Sequence, residues 1–467
     1  GARQLPPGPR GLPLLGSLLS VNRDFYSGKC RQWAAEYGAV FMMKLAGVKV
    51  VVLNDYESAK KFLARKELLD RSLHWRLRSE IEGFASLNGE TWKENRRVCV
   101  QALTELGFRK EEMRTQVQAE VQLLVDKLSE SCGAPVPVRP LLVSSVSNCV
   151  ALYLFGQRYS LDDPRRQCMD RQVEAFLKAA ALVPIDFMPA WLKPLVRRVM
   201  PDSASAFVKR FTDELAEFSR EQVALALKTQ DGSRHRSLID LYLTKMEKHE
   251  PGTESNLTMS HLMGNVNEIL LGGTASAIMY LHWHMLYLAA HADTLQAELQ
   301  HEIDAVVGRD RKPTWEDHTC LPLTMATIWE MFRYKSAPPL SLPRGAAEDV
   351  TVDGVFIPKG TTVSANVAAI HRDPKIWKEP AKFNPYRFIS DDGSAPSSKP
   401  ENLISFTLGR RGCPGEALAI TELFLYVSHL VHEFRILPEE GQVLPSIESP
   451  TASSNNLAGV KLRFLKR

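Results

Sequence analysis

The pattern of hydrophobic and polar positions predicts that helices form most of this chain. Hydrophobic residues recur at helical spacing, or run almost unbroken, in several long segments. The clearest of these segments are 111–131, 173–182, 204–228, 258–290 and 293–307. We therefore expect helix to dominate the fold.

Two shorter segments predict β-hairpins. Residues 40–53 are rich in β-branched residues around a central glycine, and residues 349–367 repeat this pattern with Asp353-Gly354 and Lys359-Gly360 as turns. Such small sheets, formed by distant parts of the chain, argue against a string of modules. We expect one large domain over residues 1–467, mainly α with small β-sheets (α+β).

Composition narrows the class of protein. The chain has 467 residues, of which 44% are hydrophobic, so it can bury a large core. Its 58 basic and 54 acidic residues leave a formal charge of +4, which is too small for a nucleic-acid-binding protein by bulk charge. We therefore expect no nucleic-acid partner. We also expect a monomer.

The cysteines and the N-terminal segment bear on the compartment. The seven cysteines are far apart and form no CxxC pair, which excludes a disulfide framework and a zinc ribbon and favours a reducing compartment. No window approaches eighteen uncharged apolar residues, so we expect no span within the chain. Residues 1–20 predict a proline-rich hinge after a removed membrane anchor.

One cysteine lies in an unusual setting. Cys413 stands in FTLGRRGCPGEALA, where three glycines let the backbone turn tightly and direct N–H groups toward the sulfur. A helix predicted from Glu416 onward favours an anion at its start. No local histidine supplies a base, so a lone thiolate suits an axial ligand of haem iron, whereas the alternative is an inert buried cysteine.

These residues carry a resemblance to a known family. The positions Phe406, Gly409, Arg411, Cys413 and Gly415 match the haem-binding loop of the cytochrome P-450 superfamily. The resemblance implies a single haem-thiolate domain in which haem b lies between the long helix and the cysteine loop. It also implies that Cys413 is the iron ligand and that Phe406 contacts the cofactor.

Further motifs of the same family occur upstream in the expected order. Glu330 and Arg333 lie in EMFR, and Arg387 lies in FNPYRF. By itself an i, i+3 Glu/Arg pair is more often a solvated surface salt bridge. The resemblance implies instead that these three residues form a buried network that braces the cysteine loop.

The resemblance also implies a set of haem-propionate ligands. Trp92 and Arg96 share a helical face in ETWKENRR, and they match the family's propionate-binding pair, as do Arg344 and Arg411. The stretch LFGQRYSLDD is similar to the microsomal animal branch. That similarity implies the cytosolic face of the endoplasmic reticulum membrane, with the mitochondrial inner membrane as the weaker alternative.

The long helix departs from the family pattern at the position of an acid. Aligning GGTAS leaves Thr274 in place, Ala275 where members that activate dioxygen usually have an acid, and Ser276 at the alcohol. We assign these three positions to the catalytic site. Either Ser276 suffices with water as proton carrier, or the enzyme rearranges an already oxidised substrate and needs no electrons.

By family position, the substrate pocket is walled by Phe84, Leu271, Ala275 and Leu340, together with TASSNN near the C-terminus. These groups are small or apolar, which fits a small to medium-sized apolar substrate. Arg76 and Arg78 could contradict this expectation.

Local charge predicts the macromolecular partners. Basic residues flank the segments expected on the thiolate side of the haem, where an acidic, NADPH-dependent flavin reductase would dock. They are Lys93, Arg97, Arg109 and Arg410. Residues 186–201 mix apolar and basic side chains as a membrane contact does, although a buried helix end is an equal alternative.

Three functions follow from this reading. The first is a monooxygenase that inserts one atom of O2 into an apolar substrate with electrons from a flavin reductase. The second is a haem-thiolate isomerase or dehydratase that needs neither O2 nor a reductase. The third is a non-catalytic haem carrier or sensor.

Overall fold

The structure is a computed structural model of the chain, and it describes eleven stretches of sequence. They are residues 4–21, 25–72, 81–107, 110–160, 162–179, 192–229, 236–248, 255–393, 399–446, 457 and 459–467.

Fourteen α-helices lie within the described residues. In chain order they are α1 (Cys30–Tyr37), α2 (Tyr56–Leu63), α3 (Gly89–Glu105), α4 (Glu111–Ser129), α5 (Val138–Phe155), α6 (Pro164–Ala179), α7 (Leu192–Val199), α8 (Ala204–Thr229), α9 (Leu238–Glu247), α10 (Met259–Ala290), α11 (Leu295–Val306), α12 (Pro322–Lys335), α13 (Val367–Ile370) and α14 (Glu416–Glu433).

The described strands are short and form three sheets. They are β1 (Val40–Leu45), β2 (Val48–Leu53), β3 (Asp70–Arg71), β4 (Val136–Pro137), β5 (Arg344–Gly345), β6 (Val350–Val352), β7 (Val355–Ile357), β8 (Thr362–Ala365), β9 (Phe434–Pro438) and β10 (Lys461–Lys466). The largest sheet has the order β1-β2-β8-β5-β3, the second has the order β4-β10-β9, and the third pairs β6 with β7.

Helix α10 lies at the centre of the fold. It begins where the Thr258 hydroxyl accepts a hydrogen bond from the His261 N–H at 3.1 Å, which caps the first turn. Its length is apolar on nearly every face, and it packs against α5, α8 and α14. The predicted helix over 258–290 is therefore confirmed, together with the predicted helix-dominated fold.

Two helices show the limits of periodicity as a signal. Helix α6 begins at Pro164 rather than at the predicted Val173, because its first turns are polar and carry no apolar repeat. Helix α5 was not predicted. It is buried on all sides, so it has no polar face to create a period.

The prediction of no membrane span within the chain stays a prediction. Among the described helices, α5 has the length and composition of a span, with a mean hydropathy of 1.4. However, 78% of the helix is buried inside the protein, as in the core helix of a folded domain.

The hairpin predictions hold in part. Strands β1 and β2 pair as predicted, and β6 and β7 turn at Asp353-Gly354, where both residues have positive φ. The chain after Gly360 does not extend that second hairpin. Strand β8 instead pairs in parallel with β2, because all four of its residues are buried and need the larger sheet.

The predicted network of Glu330, Arg333 and Arg387 is buried and complete. Arg333 donates to both oxygens of Glu330 at 2.7 and 2.8 Å, and the side chains of both residues are 0% exposed. The Arg387 Nε lies 3.2 Å from the Glu330 Oε2. The surface alternative is therefore excluded for this pair.

His371 extends this network to the segment that leads into the cysteine loop. Arg333 donates to the His371 carbonyl at 2.8 Å, and the backbone N–H of Ile404 donates to His371 Nε2 at 2.9 Å. Burial lowers the pKa of His371 to about 3, so the ring is neutral and its Nδ1 donates to Ser336. The network thus supports the loop through a histidine that the motifs did not indicate.

Replacing Glu330 with alanine should destabilise the protein strongly, because it leaves Arg333 buried without its counter-ion. We expect a loss of about 3–5 kcal/mol in the free energy of unfolding, measured by urea denaturation. The control is Glu379→Ala, which breaks an exposed i, i+3 pair with Lys382 and should cost less than about 1 kcal/mol. Equal effects of the two changes would contradict a bracing role.

Candidate active site

Residues 404–415, which we call the cysteine loop, turn twice before α14 begins. Gly409 has φ 72°, and a Cβ there would lie 2.7 Å from the Leu63 carbonyl oxygen, so only glycine fits. The N–H of Cys413 donates to the Phe406 carbonyl at 3.0 Å, which closes the loop. The predicted helix from Glu416 is confirmed as α14.

The sulfur of Cys413 faces an opening. The side chain is exposed to solvent, yet desolvation by the surrounding protein raises the pKa of the thiol. The backbone N–H of Gly415 and the charge of Arg96 act in the opposite direction, because both favour the thiolate. Of the three glycines, Gly415 directs its amide at the sulfur, whereas the Gly412 N–H donates to Gly409.

Helix α10 has an open patch in its otherwise buried middle. Gly272 is exposed, and a Cβ built on it would meet no atom within 4 Å. One turn later the half-buried Ser276 donates its hydroxyl proton to the Gly272 carbonyl at 3.0 Å. An alcohol and an exposed backbone therefore line this part of the helix.

The two residues before Ser276, Thr274 and Ala275, do not line this patch. Thr274 is 0% exposed, and its hydroxyl donates to the Leu270 carbonyl at 2.6 Å. Ala275 is also buried. The predicted catalytic trio is thus divided, and Ser276 is the member with access to the opening.

Four arginines gather beside the cysteine loop. They are Arg71, Arg96, Arg344 and Arg411, of which all but Arg96 are buried. Among the described residues, their acceptors are mainly backbone carbonyls: those of Ala85 and Leu342 for Arg71, Gly412 for Arg96, Leu408 for Arg344, and Leu69, Phe84 and Leu87 for Arg411. A carbonyl carries no charge, so within the part of the chain that the structure describes these bonds leave the positive charge uncompensated.

The charges of these arginines act on one another. Burial, and then mutual repulsion, lowers the pKa of Arg71 to about 10, of Arg344 to about 9 and of Arg411 to about 8. Glu268 opposes this lowering of the pKa for Arg71, and Asp70 opposes it for Arg411. The cluster therefore has the electrostatics of a site for an anion with more than one charge.

Two buried donors in the same cluster have no hydrogen-bond partner among the described residues. They are the indole N–H of Trp92 and Nη1 of Arg344. The guanidinium of Arg411 lies 3.8 Å from the centroid of the Trp92 ring, so the indole belongs to the same cluster. Orphaned buried donors indicate that an acceptor belongs there.

The other predicted site residues are distributed around this centre. Phe406 is 9% exposed and supports the cysteine loop through an edge contact with Phe332, with 5.1 Å between the ring centroids. Phe84 and Leu271 are buried in the main core, whereas Leu340 packs at the edge of a separate cluster. Leu340 therefore belongs to a different hydrophobic cluster from Phe84 and Leu271.

Several predicted positions lie outside the described residues. They are Arg76, Arg78, Arg109, residues 186–191 of the membrane segment and the TASSNN segment.

Sequence reasoning missed Arg71. The residue stands alone in a two-residue strand, with no partner at helical spacing that could have drawn attention to it. Its role emerges only because β3 pairs with β5, which places Arg71 opposite Arg344.

Comparison with known proteins identifies the family. The family model described as Cytochrome P450 matches residues 6–463 of the chain. The chain belongs to the cytochrome P450 family. It is 30% identical to Cytochrome P450 18a1 of Drosophila melanogaster over 481 aligned residues, which cover 100% of this chain and 87% of that protein.

Vertebrate P450s are similar to the same extent. Identity to Cytochrome P450 2D15 of Canis lupus familiaris is 32% over 465 residues, 95% of this chain and 89% of the relative. Identity to Cytochrome P450 2C70 of Rattus norvegicus is 31% over 444 residues, 93% of this chain and 88% of the relative. The resemblance to the animal branch is therefore confirmed.

A P450 is an oxidoreductase of the monooxygenase type that uses haem iron, O2 and a redox partner. The residues of this chain fit a haem. The group carries two carboxylates, which match the excess charge of the arginines and the orphaned N–H groups of Trp92 and Arg344. The open sulfur of Cys413 fits an iron ligand.

Proposed function

We propose that this P450 hydroxylates a small to medium-sized apolar substrate with one atom of O2, using electrons from an NADPH-dependent flavin reductase. The observation that carries the proposal is the pairing of an accessible Cys413 sulfur with a cluster of buried, uncompensated arginines. A thiolate suits the iron of an iron porphyrin, and the cations suit its two carboxylates, so the two features together favour this ligand.

The residues that would hold haem b follow from this pairing. Cys413 would ligate the iron as a thiolate, favoured by the Gly415 N–H and by Arg96. The propionates would receive hydrogen bonds from Trp92, Arg96, Arg344 and Arg411, to which we add Arg71. When bound, haem supplies the iron at which O2 is activated, and thiolate ligation favours cleavage of the O–O bond.

Ser276 is the group that would move a proton at the open patch of α10. Its hydroxyl already donates to Gly272, so a small rotation turns it toward the opening. Ala275 contributes no acid, so a proton must reach Ser276 by another route.

The substrate would meet a mostly apolar wall. Phe84, Leu271 and Ala275 are buried side chains of the same hydrophobic core. This lining favours an uncharged ligand, since burying a charge without a partner is costly. Leu340 stays a predicted lining residue, although it packs against a different hydrophobic cluster.

A basic face supports docking of an acidic reductase. In α3 Lys93 and Arg97 are exposed, each one residue after Trp92 and Arg96 respectively. Arg410 is exposed in the cysteine loop itself. A partner on this face would approach the thiolate side of the site, and complementary charge would speed its association.

Exposed leucines support contact with the endoplasmic reticulum membrane from its cytosolic side. Leu14 and Leu19 near the N-terminus are 93% and 73% exposed, and Leu195 in α7 is 53% exposed beside Arg198. Apolar side chains mixed with basic ones are typical of a surface that lies on anionic lipid.

Ala275 also favours a second candidate function. Without an acid beside Ser276, the site resembles one that rearranges an oxidised substrate, such as a hydroperoxide, in which the oxygen is already present. That reaction would need neither O2 nor a reductase.

Changing Cys413 to histidine tests the iron ligand. The reduced parent protein under carbon monoxide should absorb far to the red of an imidazole-ligated haem, because the thiolate donates strongly to the iron. The variant should lose this band. A control at the exposed Cys320, changed to serine, should keep it. An unchanged spectrum in the Cys413 variant would exclude this residue as the ligand.

Turnover with a purified flavin reductase tests the reaction. With NADPH, ¹⁸O2 and a panel of apolar compounds that shift the haem spin state, we expect products that carry one ¹⁸O atom. Omitting the reductase should stop product formation. Conversion of a fatty-acid hydroperoxide at full rate without reductase, and no ¹⁸O in any product, would favour the isomerase instead.

A further inference from the structure

Glu268 lies on the same stripe of α10 as the open patch. Glu268, Gly272 and Ser276 are spaced four residues apart, so they share one helical face. The helical rise separates Glu268 from Ser276 by about 12 Å. Between them lies Gly272, where the helix faces open space.

A loop formed by residues 81–87 holds the Glu268 carboxylate. The Ala85 N–H donates to Oε2 at 2.6 Å, and the Ser86 hydroxyl donates to Oε1 at 2.6 Å. A Cβ on Gly83 would lie 2.4 Å from Oε2, so glycine is required for this approach. Ser86 is half-buried, so the hydroxyl that contacts the carboxylate belongs to a residue with partial access to solvent.

The environment of Glu268 suits a group that both accepts and releases a proton. Burial raises the pKa of its carboxyl, while its hydrogen bonds and the charge of Arg71 lower it. Glu422 provides a contrast. It is buried in α14 with both oxygens unpartnered among the described residues, and burial raises the pKa of its carboxyl well above the ordinary value.

Among the described residues, the charged and titratable groups that act on Glu268 or respond to it are Arg71 and Cys99. Arg71 approaches from β3, and the Cys99 thiol approaches from α3. Neither competes with the carboxylate as a source of protons, because the guanidinium stays protonated and burial raises the pKa of the Cys99 thiol above its ordinary value.

We propose that Glu268 supplies the protons that the reaction consumes, in place of the acid that is absent at position 275. Protons enter through the Ser86 hydroxyl, bind the Glu268 carboxylate and cross the open space over Gly272 through water to Ser276. This route rests on the proposed monooxygenase function. That reaction is O2 + RH + 2e⁻ + 2H⁺ → ROH + H2O, with the electrons supplied by the reductase.

Space for the water is provided by the helix itself. The distance between the two side chains is too long for a direct hydrogen bond, and a bridging water needs both room and polar partners. Gly272 leaves the room, and the carboxylate, the Gly272 carbonyl and the Ser276 hydroxyl are the partners.

The competing role for Glu268 is a latch that fastens the loop to α10. Asn265 makes a similar contact, because its Oδ1 accepts the Phe84 N–H at 2.7 Å. A latch needs only a hydrogen-bond acceptor, so a glutamine at position 268 preserves it. A proton carrier needs a carboxyl group, so glutamine abolishes it. The substitution Glu268→Gln therefore distinguishes the latch from the proton carrier.

The test compares Glu268→Gln with Asn265→Ala in the holoenzyme with reductase. Glu268→Gln should slow O2-dependent NADPH oxidation about tenfold or more and change the solvent isotope effect in D2O, with an unchanged melting temperature. Asn265→Ala loosens the loop without touching a carboxyl, so it should leave the isotope effect as in the parent. Equal rates and isotope effects for Glu268→Gln and the parent would overturn the proposal.

A double variant and a spectroscopic readout strengthen this test. If Glu268 acts through Ser276, adding Glu268→Gln to Ser276→Ala should slow the enzyme no further than the slower single change. Multiplied losses would refute a shared route. In acid titrations, the infrared difference between parent and Glu268→Gln should contain a carboxyl band that shifts in D2O, and a band that fails to shift would show a group sealed from solvent.

The outcomes also separate this proposal from the function on which it rests. If the parent protein with reductase oxidises no NADPH, the monooxygenase function fails and the proton route fails with it. If the parent oxidises NADPH and Glu268→Gln does so equally fast, only the proton route fails.

Discussion

Uncompensated positive charge beside Cys413 is the constraint on which the site depends. Burying several guanidinium groups together costs free energy through desolvation and mutual repulsion, and hydrogen bonds to carbonyls offset only part of it. Desolvation and the neighbouring arginines also lower the pKa of Arg344 and of Arg411, because both effects disfavour the charged guanidinium. A ligand with two carboxylates removes the repulsion, so cofactor binding and stability of this region are coupled.

The same arginines connect the walls of the site. Arg71 and Arg411 donate to carbonyls of the loop 81–87, while the N–H groups of that loop donate to Asn265 and Glu268 on α10. On the other side, the network of Glu330 reaches the cysteine loop through His371. The thiol is thus positioned by two independent sets of polar contacts, one from each side.

Local motifs predicted those parts of the site whose functional residues lie close together in the sequence. Cys413 and the pair of Glu330 and Arg333 belong to this class. Contacts made by distant segments left no local pattern, which is why Arg71 and His371 escaped prediction. Helix α5 was also missed, because a helix that is apolar on every face shows no alternation of hydrophobic and polar residues at helical spacing. The catalytic role of Ser276 stays a prediction; the helix leaves this residue half-buried beside the open patch, whereas it turns Thr274 inward.

The most direct test of the central claim is the affinity of the haem-free protein for haem and for its dimethyl ester, which lacks both carboxylate charges. Charge-assisted hydrogen bonds contribute roughly 1.5–3 kcal/mol each, so the ester should bind about a hundredfold more weakly or worse. Equal affinity for the two compounds would contradict the account, because the buried arginines would then have no part in holding the cofactor.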